Sequence, residues 1–478
     1  MKEASDTVSV DVSNESKIRA LPWSLASGVL VGFFSLWTFG GSVFVLFLNE
    51  LGLPAARIGF VLSIFPFCGL LGLGFAPLAA RLGWKRVLLA CYGARKPVMA
   101  LLLLLPWVER HGGHGAAFVF LVGVLIVFAV LRALAETAAY PWAQQYVPNH
   151  VRGRYAAWSS VLGLVASGAA LAVAGKVLAL ETGLRGYLWL IGAGSALGFV
   201  GVLLMIKVPG GAPLAPLAQG ASHAANLMQA LRDRNLRAYL GGVAGLTLGG
   251  AMLTSFLPLY VRGQLGLPAA TVVRLDIAAM AGGALASLGW GWLSDRVGSR
   301  PVLMPAATLM LVPPLAWLWL PSHAPNMAAW CAVIYLLSGV AANGVAIGAG
   351  RLLYNSVAPS EKSAAYMSIY YAWIGVTGGV APLLAGGMLT VFRDGALRSL
   401  GVDGYKAMFV TALLFLMAGA LLYKRVRPDD RHTTRTALRS FLYRINAEVM
   451  KWNRRRNQHD DGIGNRLAPA RRRRGDRN

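Results

Sequence analysis

The stretch Leu51-Gly-Leu-Pro-Ala-Ala56 occurs a second time, letter for letter, as Leu265-Gly-Leu-Pro-Ala-Ala270. A single six-residue match would carry little weight, but two further matches follow in the same order. Arg81-Leu-Gly-Trp-Lys-Arg-Val-Leu88 has a counterpart in Arg296-Val-Gly-Ser-Arg-Pro-Val-Leu303. Val147-Pro148 ahead of Arg152-Gly-Arg154 has one in Ala358-Pro359-Ser-Glu-Lys362. The offsets are 214, 215 and 211 residues. Three landmarks at nearly constant spacing read as a duplicated chain.

Between the landmarks lie apolar runs. The chain of 478 residues is 56% hydrophobic and only 14% charged, with a mean hydropathy of +0.55; an ordinary globular chain carries about 25% charged residues. A helix needs about 20 apolar residues to cross a bilayer core. Twelve segments qualify, at roughly 22–48, 58–80, 87–108, 115–141, 155–178, 186–206, 238–261, 271–293, 301–321, 327–350, 364–392 and 407–424. The expectation is an all-α integral membrane protein of twelve transmembrane helices in two pseudo-symmetric six-helix bundles. Its parts would be a short tail (1–20), a first bundle (21–207), a central loop (208–237), a second bundle (238–424) and a basic tail (425–478). The first 20 residues lack the basic region and short apolar core of a cleaved signal. Gly and Ala fill many spans, and small residues at these positions suit either close helix packing or a plain compositional bias.

Lysines and arginines set the orientation. With both ends inside, the cytoplasmic loops and N-terminal tail take fifteen of them and the other face seven, or eight with Arg274. The C-terminal stretch from Lys424 onward adds 17 basic against 6 acidic residues, a net +11 of the overall +25. Within it Leu438, Phe441, Leu442, Ile445, Val449 and Trp452 form one helical stripe flanked by arginines, a pattern for a helix lying on anionic lipid. Such a tail points to membrane lipids and away from nucleic acid; the run Arg471–Arg474 reads as disordered.

Cys68, Cys91 and Cys331 sit in apolar runs, so neither a disulfide framework nor a metal site is expected. No phosphate-cradling loop with its lysine is present and no Ser/His/Asp constellation can be argued, so no cofactor, no ATP drive and no enzymatic activity are expected. Two homologous bundles suit alternating access, in which a site between the halves opens first to one face and then to the other.

The loop Gly291-Trp-Leu-Ser-Asp295-Arg296-Val-Gly298-Ser299-Arg300 resembles the signature G-x-x-x-D-R-x-G-R/S-R of the major facilitator superfamily. The first copy keeps Arg81, Gly83, Lys85 and Arg86 but has Ala80 at the Asp position and Trp84 in place of a basic or small residue. Val147–Arg154 and Ala381-Pro382-Leu-Leu-Ala-Gly386-Gly387 are also similar to the family. The resemblance spans about residues 20–425. It implies a multi-pass carrier of the bacterial inner membrane, acting as a monomer on a small-molecule substrate. It also implies a conformational latch in which Asp295 faces the start of the fifth span, near Tyr155.

Charges inside a span cost at least about 2.5–3.5 kcal/mol at the bilayer centre and so mark candidate sites. Arg132 and Glu136 lie one turn apart in the fourth span, as an anion clamp or proton relay, or as a structural pair. Arg95 and Lys96 interrupt the third span and are expected to pair with Glu136 or backbone carbonyls. Lys176 and Arg351 are expected to snorkel, and Asp276 to pair locally with Arg274, with a gate at the outer mouth as the alternative. Trp37, Tyr140, Trp142, Gln144, Gln145, Thr254, Tyr260, Asn343, Tyr370, Tyr371 and Trp373 form a candidate substrate pocket. The leading expectation is a proton-coupled carrier of a small polar or anionic solute. The anionic bias rests on Arg132, Arg95 and Lys96 outnumbering Glu136. Efflux or lipid flipping by the same fold and a transport-inactive sensor or scaffold are the alternatives.

Overall fold

The computed structural model describes residues 13–213, 222–321, 325–358, 363–394 and 403–429. Among the described residues the regular structure is helical, and ten helical runs are long and apolar enough to cross a membrane. One of them, Trp84–Tyr146, has 63 residues. At 1.5 Å per residue a straight helix of that length would extend about 95 Å, three times a bilayer core of about 30 Å. It folds back at Gly113, whose φ of 76° and ψ of 176° are not helical, and its two limbs pack against each other. It therefore supplies the third and fourth spans.

The second span is interrupted rather than fused, as Ala55–Gly69 followed by Leu71–Leu82. With these two readings the chain crosses twelve times. The first span is Asn14–Thr38 continued by Gly41–Glu50; the fifth and sixth are Arg152–Leu180 and Leu184–Met205. The seventh and eighth are Arg234–Gly263 and Ala269–Val297, and the ninth is Arg300–Leu309 with Val312–Trp319. Met327–Leu352, Ser363–Asp394 and Gly404–Tyr423 complete the set. The first helix starts several residues earlier than hydropathy places it, because the Ser13 side chain caps it by accepting from the Ser16 amide. The central loop also contains a helix, Ser222–Arg232. The stripe from Leu438 to Trp452, Arg471–Arg474 and Lys362 lie outside the described residues.

Within the first half, the first span packs on the fifth and sixth, and the third on the fourth and sixth. Within the second, the seventh packs on the eleventh and twelfth, and the eighth and ninth on the tenth. The same two positions are tied in each half by an indole. Trp37 Nε1 donates to the Ala170 carbonyl at 2.8 Å, joining spans one and five. Trp373 Nε1 donates to the Leu240 carbonyl at 2.8 Å, joining spans eleven and seven.

The halves meet where the second span packs on the eleventh and the fifth on the eighth. At the first of these crossings a Cβ on Gly59 would stand 2.3 Å from the Pro382 carbonyl oxygen, and one on Gly386 2.5 Å from that of Ala55. Only hydrogen fits between the two backbones. Lipid offers no hydrophobic drive for helix association, so such close approach is what small residues contribute. At these positions the glycines are packing residues rather than a compositional accident.

Candidate functional site

A cavity of about 610 Å³ lies on the seam between the halves. Phe39, Ser42 and Leu62 of the first half line it, together with Thr254, Asp276, Trp317, Tyr335 and Ser338 of the second. Its volume falls in the range of small-molecule pockets, about 300–1,000 Å³.

The cavity is sealed on the face opposite the described chain ends. Asp276 of the eighth span accepts hydrogen bonds from the Ser42 amide at 3.0 Å and the Ser42 hydroxyl at 2.8 Å. Arg262, at the end of the seventh span, pairs with Glu50 at the end of the first at 2.8 Å and reaches the Tyr187 hydroxyl at 3.3 Å. The Ala56 amide donates to Thr390 Oγ1 at 3.1 Å. On the other face, which carries the chain ends, Tyr140 and Tyr371 are 72% and 59% exposed. The closed end of the seam is therefore the face away from the termini.

The expected local pair of Asp276 with Arg274 does not form. Asp276 bonds to the opposite half, and Arg274 packs against Gly175 of the fifth span. The helix turns the two side chains to different faces, and the alternative of a gate at the outer mouth fits this geometry.

Arg132 and Glu136 are brought together, Nε to Oε1 at 2.7 Å. The Arg132 guanidinium stacks 5.2 Å from the Phe39 ring, so the pair adjoins the cavity across Phe39. Arg95 and Lys96 are not in the cavity. Both are buried, at 2% and 1% exposure, among the aromatic side chains of the first half. Arg95 lies 3.8 Å from the Tyr92 ring centroid and Lys96 3.3 Å from that of Phe34. Lys96 Nζ and Arg95 Nε have no hydrogen-bond partner, so the expected pairing of Lys96 with Glu136 or a backbone carbonyl is absent. Cation–π contact takes its place. Two of the three cations behind the anionic bias thus do not line the seam cavity.

The aromatic and amide set disperses. Trp37 is buried by its bond to Ala170, and Tyr260 stacks among Trp317, Tyr405 and Phe409. Tyr370 packs on Tyr239 and Tyr371, while Trp373 is tied to Leu240. Asn343 is half-buried with its Oδ1 unpartnered. Gln144 is exposed, its carbonyl accepting from Arg152. Trp142 Nε1 donates to the Pro209 carbonyl at 3.0 Å and the Gln145 side chain accepts from the Gly211 amide at 2.8 Å, which docks the start of the central loop. Of the set only Thr254 lines the cavity.

In the latch loop, Asp295 pairs with Arg351 of the tenth span at 2.7 Å, not with the fifth span. Tyr155 is engaged by the Ser24 hydroxyl at 2.6 Å. With the seam open on this face, the cation nearest Asp295 is in its own half, so Arg351 is a partner and not a snorkelling side chain. Gly291 begins the loop's last helical turns, Arg296 stacks on Trp292, Gly298 turns the chain at a φ of 95°, and Arg300 donates to the Lys424 carbonyl. In the degraded copy Arg81 and Arg86 are exposed. Lys85, beside Gly83, donates to the Ile206 and Val208 carbonyls. Trp84 packs against Trp142 and Tyr146 in a small apolar cluster, which is where the substituted position finds its use.

Ser42, Tyr335, Trp317 and Phe39 were not singled out by sequence, since nothing in an apolar run marks which face meets the seam. Two signals were present: the Gly40-Gly41 pair inside the first span, and Glu50 and Arg262 standing just ahead of the two LGLPAA copies.

A family model described as Major Facilitator Superfamily matches residues 25–286 and 275–459. The ectoine/proline transporter ProP of Corynebacterium glutamicum is 25% identical over 405 residues, covering 78% of this chain and 76% of that protein. Two solved structures share the fold. The bacterial homolog of the human lysosomal transporter Spinster, inward-facing and unoccupied, has a TM-score of 0.63 at 17% identity over 90% of this chain and 99% of that one. The inward-open xylose transporter XylE of E. coli has a TM-score of 0.63 at 12% identity over 88% and 99%.

Proposed function

The chain belongs to the Major Facilitator Superfamily, a multi-pass membrane transporter and not an enzyme, and from that premise we propose that it is a proton-coupled carrier of a small polar organic solute working by alternating access. The observation that carries this reading is the seam cavity, which has polar side chains from both halves and, among the described residues, a hydrogen-bonded seal at the end away from the chain termini. A site lined by both bundles is what rocking about a shared cleft exposes to each face in turn.

The arginine and lysine distribution favours cytoplasmic chain ends, and in this reading the open side is the cytoplasmic one of a bacterial inner membrane. The central pair Arg132–Glu136 supplies no net charge, and Asp276 is the other charged group at the cavity, which favours a substrate without net negative charge over the anion read from sequence. Ectoine and proline, named for the Corynebacterium relative, are small polar solutes that fit such a cavity. Glu136 is the coupling carboxylate in this reading, and Asp295, Arg296 and Arg300 latch the cytoplasmic side when the seam inverts. The basic tail binds anionic lipid headgroups, and the carrier acts as a monomer.

The test is uptake of labelled solutes by proteoliposomes holding the purified chain, with and without an inward proton gradient. Accumulation that collapses when the gradient is dissipated supports the reading. Flux of phospholipid alone, or none from a broad panel, overturns it.

A further inference from the structure

The first span is broken at the level of the cavity. Its helix stops at Thr38 and restarts at Gly41. Gly41 has a φ of +60°, a left-handed turn that glycine adopts without steric cost, and a Cβ there would lie 3.1 Å from Asp276 Oδ2. The restart gives the ten-residue helix Gly41–Glu50 an N-terminus of its own inside the membrane-spanning region. Its first amides lack intrahelical partners and carry the positive end of the helix dipole. The capping position is Gly40, which has no side chain to offer. The group that occupies this terminus is the Asp276 carboxylate of the other half, bonded to the Ser42 amide and hydroxyl. A second polar group in the same cavity has no partner: the Tyr335 hydroxyl, on a side chain only 5% exposed, makes no hydrogen bond.

Asp276 and the half-helix terminus satisfy each other in the empty, sealed state, and each would be left unpaired in a low-dielectric cavity if the seal opened with nothing between them. We propose that the solute is a small zwitterion. Its carboxylate takes the Gly41–Glu50 helix terminus, its ammonium takes Asp276, and the Tyr335 hydroxyl bonds to the solute. Asp276 acts as a built-in stand-in for the solute's carboxylate. Phe39 and Trp317 line the same cavity, and aromatic rings are favourable neighbours for an ammonium group. A lone anion would leave Asp276 unpaired, and a lone cation would leave the helix terminus unpaired, so both charges are needed to part Ser42 from Asp276. This deepens the carrier reading and rests on it.

The test uses the full chain in proteoliposomes with glycine betaine and proline as zwitterions. The controls are 3,3-dimethylbutyrate, which has the betaine shape without the cation, choline, which lacks the carboxylate, and the uncharged solutes xylose and uridine. Zwitterion uptake at least tenfold above every control, and stabilisation of the purified protein by zwitterions alone, is the expected result. In Asp276→Asn, betaine uptake falls at least tenfold while binding of 3,3-dimethylbutyrate is kept or improved, a switch of preference that a folding defect would not produce. The comparison of ligands on the unmodified chain stands even where that variant does not fold. Transport of xylose or uridine with zwitterions ignored overturns the zwitterion assignment and leaves the carrier reading intact. Undiminished betaine uptake by Asp276→Asn also overturns the assignment, and absence of flux from every class overturns both.

Discussion

Removing the Glu50 carboxylate loosens the seal on the outer face by a predictable amount. Arg262 and Glu50 are 31% and 22% exposed on their side chains, so the pair is partly shielded from water and worth more than a surface ion pair. Glu50→Gln keeps an acceptor oxygen in place and loses only the charge-assisted part, about 1 kcal/mol. Glu50→Ala leaves Arg262 with the longer 3.3 Å contact to Tyr187 and costs about 2 kcal/mol. Every 1.4 kcal/mol is tenfold in an equilibrium, so the outward-open population should rise about fivefold in the first variant and about thirtyfold in the second.

The reporter is a single cysteine at cavity position 254, introduced after Cys68, Cys91 and Cys331 are replaced by serine. It is labelled from the outer face by a membrane-impermeant thiol reagent. The labelling rate follows the outward-open fraction, and the expected order is alanine above glutamine above parent. Rates within twofold of the parent in both variants, and in Arg262→Ala, would refute the gate.

Other expectations follow from single contacts. Gly386→Val places a side chain where the Ala55 carbonyl already stands 2.5 Å from the nearest Cβ position; it should shift the carrier outward-open, read as faster labelling of position 254 together with loss of uptake. Lys96→Met replaces a buried amino group that makes no hydrogen bond by an apolar side chain of similar length, and such a replacement stabilises by about 1–3 kcal/mol. The melting temperature in detergent should rise by several degrees with uptake retained, and a fall in both would place Lys96 in the transport pathway instead. Glu136→Gln should abolish gradient-driven accumulation and spare solute exchange, and unaltered accumulation would remove Glu136 from the coupling role.

The span count was legible because lipid demands about 20 apolar residues per crossing, a one-dimensional property. The hairpin at Gly113 and the interruption at Leu70 both fall between or within runs that hydropathy had already delimited. The latch loop was legible because a turn with Gly298 at positive φ leaves a local pattern. The partners of the charges were not. Arg132 and Glu136 meet because four residues is one helical turn, whereas Asp276 meets Ser42 across 234 positions and Arg95 and Lys96 turn into the bundle on a helix whose rotation no local rule sets.

By itself, then, the amino-acid order determined what the solvent is, how often the chain crosses it and that the chain is doubled. Those properties depend on transfer free energies and loop charges that act residue by residue. Which side chains meet on the seam was decided only when the two bundles packed. A helix in lipid has no solvent-facing stripe to orient it, and its rotation is set by the close backbone crossings at Gly59 and Gly386 and by the partners waiting on the other half.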